Sequence, residues 1–254
     1  MAELSDWVRA VRDSHERFTA LVSPLSSEQV SAPSYDDDWT IAQVASHLGS
    51  QGEIFQLFLD AGRSGQPAPG REVFQGIWDD WNALAPQDQV RQSIDSNARF
   101  VARLEETALA RDAFALSFFG RELDLAGFAG MRLSEHAVHT WDIEVALDPT
   151  ATIAPGAVQL LLPRLPETAA RGTAVEGAPP VLVTTTSPDA RFLLTLSPEV
   201  SLAPATHTSA EGHLALPAEA FLRLVYGRLD AQHTPDWVSG SADLDQLRKA
   251  FPGF

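Results

Sequence analysis

The chain has 254 residues, 44% of them hydrophobic, which is enough for one large domain or two modest ones. Eighteen basic against 34 acidic residues give a formal charge of −16, which argues against nucleic-acid binding, and no run of 18 apolar residues offers a membrane span. The chain has no cysteine, which excludes disulfides, Cys-ligated zinc and a protein thiol nucleophile, so any thiol chemistry must take its sulfur from a small molecule.

The opening stretch MAELSDWVRAVRDSHERF is amphipathic and charged and lacks the apolar core of a signal peptide, so a cytoplasmic location is expected. Residues 4–22 place Leu4, Val8, Val11, Phe18 and Val22 on one helical face, with His15 beside them as a hydrogen-bonded core or boundary histidine. The triplet Asp36-Asp37-Asp38 reads as a solvated loop ahead of a helix, where acidic residues are favoured. Thr40 to Gln43 matches a capping box and opens a helix over 40–60. Val44, His47, Ile54, Phe55 and Phe58 share its inner face, while Ala45, Glu53, Gln56 and Asp60 turn outward. Residues 61–73 read as a loop, 74–84 and 87–110 as helices. The longer of these carries a stripe of Ile94, Ala98, Val101, Leu104 and Ala108. Residues 113–125 read as a short strand or turn, and a further helix runs from about 125 to 147. The long amphipathic helices of residues 1–150 predict a four-helix bundle.

Residues 148–156 look like a linker. Beyond it, VLVTTT (181–186) and RFLLTLS (191–197) are strand-like runs, residues 213–229 read as a strand passing into a helix, and the chain closes on a short helix. Residues 151–254 therefore predict a smaller α+β domain, and the whole chain belongs to the α+β class.

The chemistry gathers on LSEHAVHTWDIEVAL (133–147). At ~100° per residue, His139 stands about 40° from Glu135 and Asp142 about 20° on the other side, so all three face inward with the apolar stripe. A buried lone carboxylate needs a cation or donors. A metal ion would supply the cation, with Glu135 and His139 as ligands and the inward His47 of another helix as the third. Two imidazoles and a carboxylate suit Zn²⁺ with a fourth position open, and Ni²⁺ or Fe²⁺ would also accept them. A metal-free Glu–His pair is the simpler alternative. Asp142 fits as an acceptor behind a ligand imidazole, or as a bond to another helix.

Two segments resemble a known family. DWTIAQVASHL (38–48) is similar to the W-T…H-L signature of DinB-like metal-binding bundles. LSEHAVHTWDIEVAL and the tail LVYGRLDAQHTPDWVSGSADLDQLRKAFPGF resemble the mycothiol-dependent maleylpyruvate isomerase branch. The Asp-rich approach to Trp39 departs from the Pro-Gly often found there. The resemblance implies a DinB-like bundle, a C-terminal sterol-carrier-like α/β domain, an active site between them, His47, Glu135 and His139 as ligands of a zinc ion, and mycothiol as co-substrate.

A thiolate formed on the metal would then attack an electrophilic small molecule, either as a cis–trans isomerase or as an S-transferase. An anionic substrate or thiol would need a cation. Arg228 is the candidate for that catalytic and cofactor-binding role, with a helix-end charge or an interdomain ion pair as its other readings. Arg132, one turn before Glu135, is a second candidate cation, for which the surface reading is preferred. A metal-dependent hydrolase, with Asp142 or His136 as base, and a non-catalytic binding protein are the competing classes. A monomer or weak homodimer is expected.

Overall fold

Each long amphipathic segment of the first half forms a helix in the computed structural model, which describes residues 2–35, 38–110, 113–118, 121–205 and 210–253. Asp36 and Asp37 of the acidic triplet lie outside the described residues. The chain divides into two units, Met1–Ala151 and Thr152–Phe254. The first contains α1 (Leu4–Val22), α2 (Ser27–Val30), α3 (Ile41–Ser64), α4 (Arg71–Asn82), α5 (Pro86–Ala110), a hairpin of β1 (Leu116–Phe118) and β2 (Arg121–Leu123), and α6 (Leu125–Leu147).

The four long helices close a ring, with α1 packed on α5 and α6, and α3 packed on the same two. This is the expected four-helix bundle. Phe18, Val22, Ile41, Val44, Leu48, Val90 and Ile143 form one of its apolar clusters; each such side chain, fully buried, stabilises by ~1.5–3 kcal/mol. The capping box at the head of α3 is formed: Gln43 N donates to Thr40 Oγ1 at 3.2 Å, and Thr40 N donates to Gln43 Oε1 at 2.8 Å. The helix runs to Ser64, past the expected end at 60, and stops where Gly65 takes φ +66°. Arg63 in its last turn suits the helix dipole. Ala45, expected to face outward, is fully buried.

The buried stripe of α5 keeps Val101 and Leu104 of the expected one and differs in the rest. Ala98 is exposed, and the helix turns Val90, Ser93, Ser96, Asn97, Phe100, Leu104 and Thr107 inward. Small residues explain the rotation. A Cβ on Gly49 would sit 2.2 Å from the Trp81 ring and 3.0 Å from Ser93 Cα, so α3 and α5 approach closely here. Ser96 Oγ uses that proximity to donate to Gly49 O at 2.8 Å. Polar serines and an asparagine therefore fill a seam that a hydrophobicity pattern assigns to the surface.

The second unit holds α7 (Pro155–Leu161), a 3-10 turn (Leu162–Arg164), α8 (Leu165–Ala169), β3 (Val181–Thr186), β4 (Ala190–Thr195), β5 (Ser201–Pro204), β6 (Gly212–Pro217), α9 (Ala218–Val225), β7 (Ser239–Gly240) and α10 (Leu244–Ala250). Its five-stranded sheet has the order β5-β4-β3-β6-β7. Strands β3 and β6 pair in parallel, with Val183 opposite Leu214, and the other pairs are antiparallel. Val181, Val183 and Thr185 alternate inward along β3, and α9 packs on β3 and β6. The mixed helical and sheet content makes the chain α+β. Among the described residues, no helix is long and apolar enough to cross a membrane.

Replacing Gly49 by Ala should overpack the α3–α5 seam. A stability loss of about 1–3 kcal/mol is expected, read as a melting temperature several degrees lower by calorimetry. An unchanged melting temperature would show that the Trp81 ring gives way freely.

Candidate metal centre

Helices α3 and α6 face each other across the bundle, and their facing turns bring His47, Glu135 and His139 together. One ligand atom from each lies within 4.8 Å of the others. Glu135 Oε2 stands 3.7 Å from His47 Nε2 and 3.8 Å from His139 Nε2. The two imidazole rings meet edge to face, with centroids 4.7 Å apart. All three side chains are partly open to solvent, at 26%, 37% and 18% exposure, so a ligand can reach them.

The hydrogen bonds fix which ring atoms face the gap. Asp142 Oδ2 lies 2.8 Å from His139 Nδ1, so that nitrogen carries a proton, and in the neutral ring Nε2 keeps its lone pair. Gln51 accepts at Oε1 from Arg132 Nη1 at 2.6 Å. Its NH₂ end therefore donates, to His47 Nε2 at 2.9 Å and to Glu135 Oε2 at 2.6 Å. His47 Nε2 must then also be a lone-pair acceptor. Two imidazole lone pairs and a carboxylate oxygen thus converge with no proton shared between His139 and Glu135. That donor set fits a divalent cation of the zinc class. Burial keeps the His47 ring neutral by lowering its pKa. Burial opposes ionisation of Glu135, and the hydrogen bond from the Gln51 amide at 2.6 Å favours its charged form.

The other expected residues fall in varied settings. Asp142 is buried behind His139, in the acceptor position expected for it. Arg132 is not a surface residue. It is wholly buried, donating through Nη2 to Leu48 O at 3.0 Å and to Asn97 Oδ1, with its guanidinium 5.2 Å from the Phe55 ring and 5.7 Å from the Phe100 ring. Burial lowers its pKa to about 10, which leaves it charged at neutral pH. The acceptors that make this burial tolerable sit on α3 and α5, where the pattern of α6 alone gives no sign of them. His136 turns to α1, its Nδ1 2.9 Å from Ser14 Oγ, and it is 1% exposed, too enclosed for the base role considered for it. His15, expected to be hydrogen-bonded, has a buried Nδ1 with no partner among the described residues and meets His136 edge-on.

Arg228 belongs to the second unit. It follows α9 and is half-buried, and its Nη1 donates to Tyr226 O at 2.7 Å. Two residues at the centre escaped the sequence reading. Gln51, one turn past His47, follows the same i, i+4 logic as Glu135 and His139 and could have been found by it. Trp39, 37% exposed with its ring centroid 5.3 Å from that of His47, borders the opening.

Comparison with known proteins agrees with this architecture. Residues 11–144 match the family model described as Mycothiol maleylpyruvate isomerase N-terminal domain. The crystal structure of the mycothiol-dependent maleylpyruvate isomerase superposes with a TM-score of 0.69 at 18% identity, covering 94% of this chain and 93% of that one. A variant of that enzyme with one histidine replaced by alanine gives 0.68 at 17% identity over the same shares. At these identities the likeness is one of fold. A protein of Geobacillus thermodenitrificans (strain NG80-2), provisionally named a metal-dependent hydrolase, is 37% identical over 46 residues. That stretch is 18% of this chain and spans about a quarter (26%) of the relative's length.

The buried histidines make stability depend on pH. Burial holds the pKa of His136 well below 6.5, with the Arg132 charge adding to the effect, and burial also lowers that of His15. Below pH 6.5 the unfolded chain therefore binds protons that the folded one refuses. Stability of the metal-free protein should be flat from pH 8 to 7 and fall as pH drops below 6.5, by up to about 1.4 kcal/mol per pH unit for each such histidine. Urea titrations at several pH values measure the slope. His136→Gln should reduce it, and an unchanged slope would remove His136 as its source.

Proposed function

We propose, from the premise that the chain belongs to the mycothiol maleylpyruvate isomerase N-terminal-domain family, that it is a metal-dependent enzyme using mycothiol against an electrophilic small molecule. The observation that carries this reading is the convergence of His47 Nε2, His139 Nε2 and Glu135 Oε2 at a solvent-open point between two helices.

A divalent metal bound there, with zinc the best match to two imidazoles and a carboxylate, supplies the Lewis acidity that turns a thiol into a thiolate at neutral pH. A chain without cysteine has no thiol of its own to compete. The residues themselves do the rest. His47, Glu135 and His139 would hold the ion, and their single negative charge would leave a dication one positive charge to favour an anionic sulfur. Asp142 keeps the His139 ring in the tautomer that points its lone pair inward. The exposed Trp39 ring bounds one side of the opening.

Addition of the sulfur to a conjugated alkene, bond rotation and loss of the thiol give cis–trans isomerisation. Displacement of a leaving group gives S-transfer. Both begin with the same nucleophile, and the metal centre serves either. Arg228 is proposed as the cation for a carboxylate of the substrate or the thiol. The setting proposed is cytoplasmic, with small molecules as partners and no nucleic acid.

Zinc-loaded protein mixed with mycothiol and a panel of electrophiles, among them cis-alkenes conjugated to carbonyls, should consume substrate only when the thiol is present. Turnover without thiol would support the hydrolase reading, which the short likeness to the Geobacillus protein favours. His47→Ala should lower bound metal well below one equivalent by elemental analysis, and full occupancy would remove His47 from the centre. Arg228→Ala should raise KM for mycothiol or substrate about tenfold or more, the loss of one charge-assisted hydrogen-bond pair, with metal content unchanged. Unaltered kinetics would reject its role.

A further inference from the structure

We propose that Gln51 is a positioning residue of the metal centre: it satisfies two of the three ligand atoms in the metal-free protein, then anchors Glu135 once metal is bound. The proposal rests on the metal reading given above and assigns a residue to it that the ligand pattern does not include.

Both ends of the Gln51 amide are committed. Oε1 accepts from Arg132 Nη1 at 2.6 Å. A guanidinium has donors only, so this end must be the carbonyl and the NH₂ must face the centre. Arg132 cannot swing away to release it. It is wholly buried, tied to Leu48 O and Asn97 Oδ1, and lies against the faces of Phe55 and Phe100. The fixed cation thus sets the polarity of the amide. The NH₂ in turn brings two protons to two of the three ligand atoms, His47 Nε2 at 2.9 Å and Glu135 Oε2 at 2.6 Å. It provides part of the positive charge that a metal ion would bring.

The two bonds do not have the same fate. An imidazole Nε2 has one lone pair, so His47 can hold Gln51 or a metal but not both. A carboxylate oxygen has two, so the bond from Gln51 to Glu135 can persist beside a metal. Metal entry must therefore break one Gln51 bond and can keep the other. What remains is an outer hydrogen bond that orients a ligand carboxylate, and such partners typically change metal affinity by about 10–100-fold.

Zinc affinity, measured by competition with a chromophoric chelator on the full-length protein, tests this without reference to turnover. Gln51→Leu removes both ends of the relay and should weaken zinc binding about 10–100-fold. Gln51→Glu keeps the acceptor for Arg132 but turns an anion toward the centre. It should tighten zinc binding by about tenfold or more, because affinity rises with the charge of the site. It should also lower the melting temperature of the metal-free protein through repulsion of Glu135. If Gln51→Leu does not fold, the isosteric Gln51→Glu decides alone. Both variants within about twofold of the wild-type affinity would reduce Gln51 to packing and overturn the proposal while leaving the metal reading intact. A wild-type protein that takes up no zinc would overturn that reading and this proposal together.

Discussion

Three electron-rich atoms face one another between α3 and α6, and the Gln51 amide donates to two of them. His139 Nε2 and Glu135 Oε2 stand 3.8 Å apart with their lone pairs opposed, because Asp142 holds the His139 proton on the far side of the ring. Such an arrangement is costly unless positive charge enters it. The Gln51 amide supplies part of that charge, and the ions that prefer two imidazoles and a carboxylate would supply the rest. The chemistry assigned to this chain follows from that unresolved electrostatic demand.

The bundle bears the cost in its packing. A purely apolar α5 would have given a simpler interior, yet Ser93, Ser96 and Asn97 occupy its buried seam. Asn97 and Leu48 O receive the Arg132 guanidinium, which in turn fixes Gln51. The close approach of α3 and α5 at Gly49 and Ser96 is what allows one buried cation to reach acceptors on both. Removing one member of such a network leaves the others unsatisfied in a low-dielectric interior, so its members are coupled rather than additive.

Much of this was legible in the sequence where periodicity carries the information. The i, i+4 spacing of Glu135 and His139 and the inward phase of His47 locate the triad, and the capping box at Thr40 locates the start of its helix. Alternation finds β3, β4 and the strand-to-helix passage of β6 and α9. It misses β5 and β7, which are four and two residues long, and the helical segments between Pro155 and Ala169, which Pro163 and Pro166 break into short pieces. The misreading of Arg132 and of the α5 stripe has a common cause. Both depend on polar groups satisfied across helices, and a one-dimensional pattern records polarity but not the partner that makes burial tolerable. The i, i+4 spacing from His47 does place Gln51 on the same face, but its orientation is set by the Arg132 behind it.

The most direct measurement is X-ray absorption at the metal edge of the zinc-loaded protein. Scattering from two imidazole rings together with a carboxylate oxygen is the expected result, with one imidazole missing from the His47→Ala protein. A first shell of oxygens without imidazole, or a spectrum indifferent to that substitution, would place the ion elsewhere and contradict the assignment of the centre.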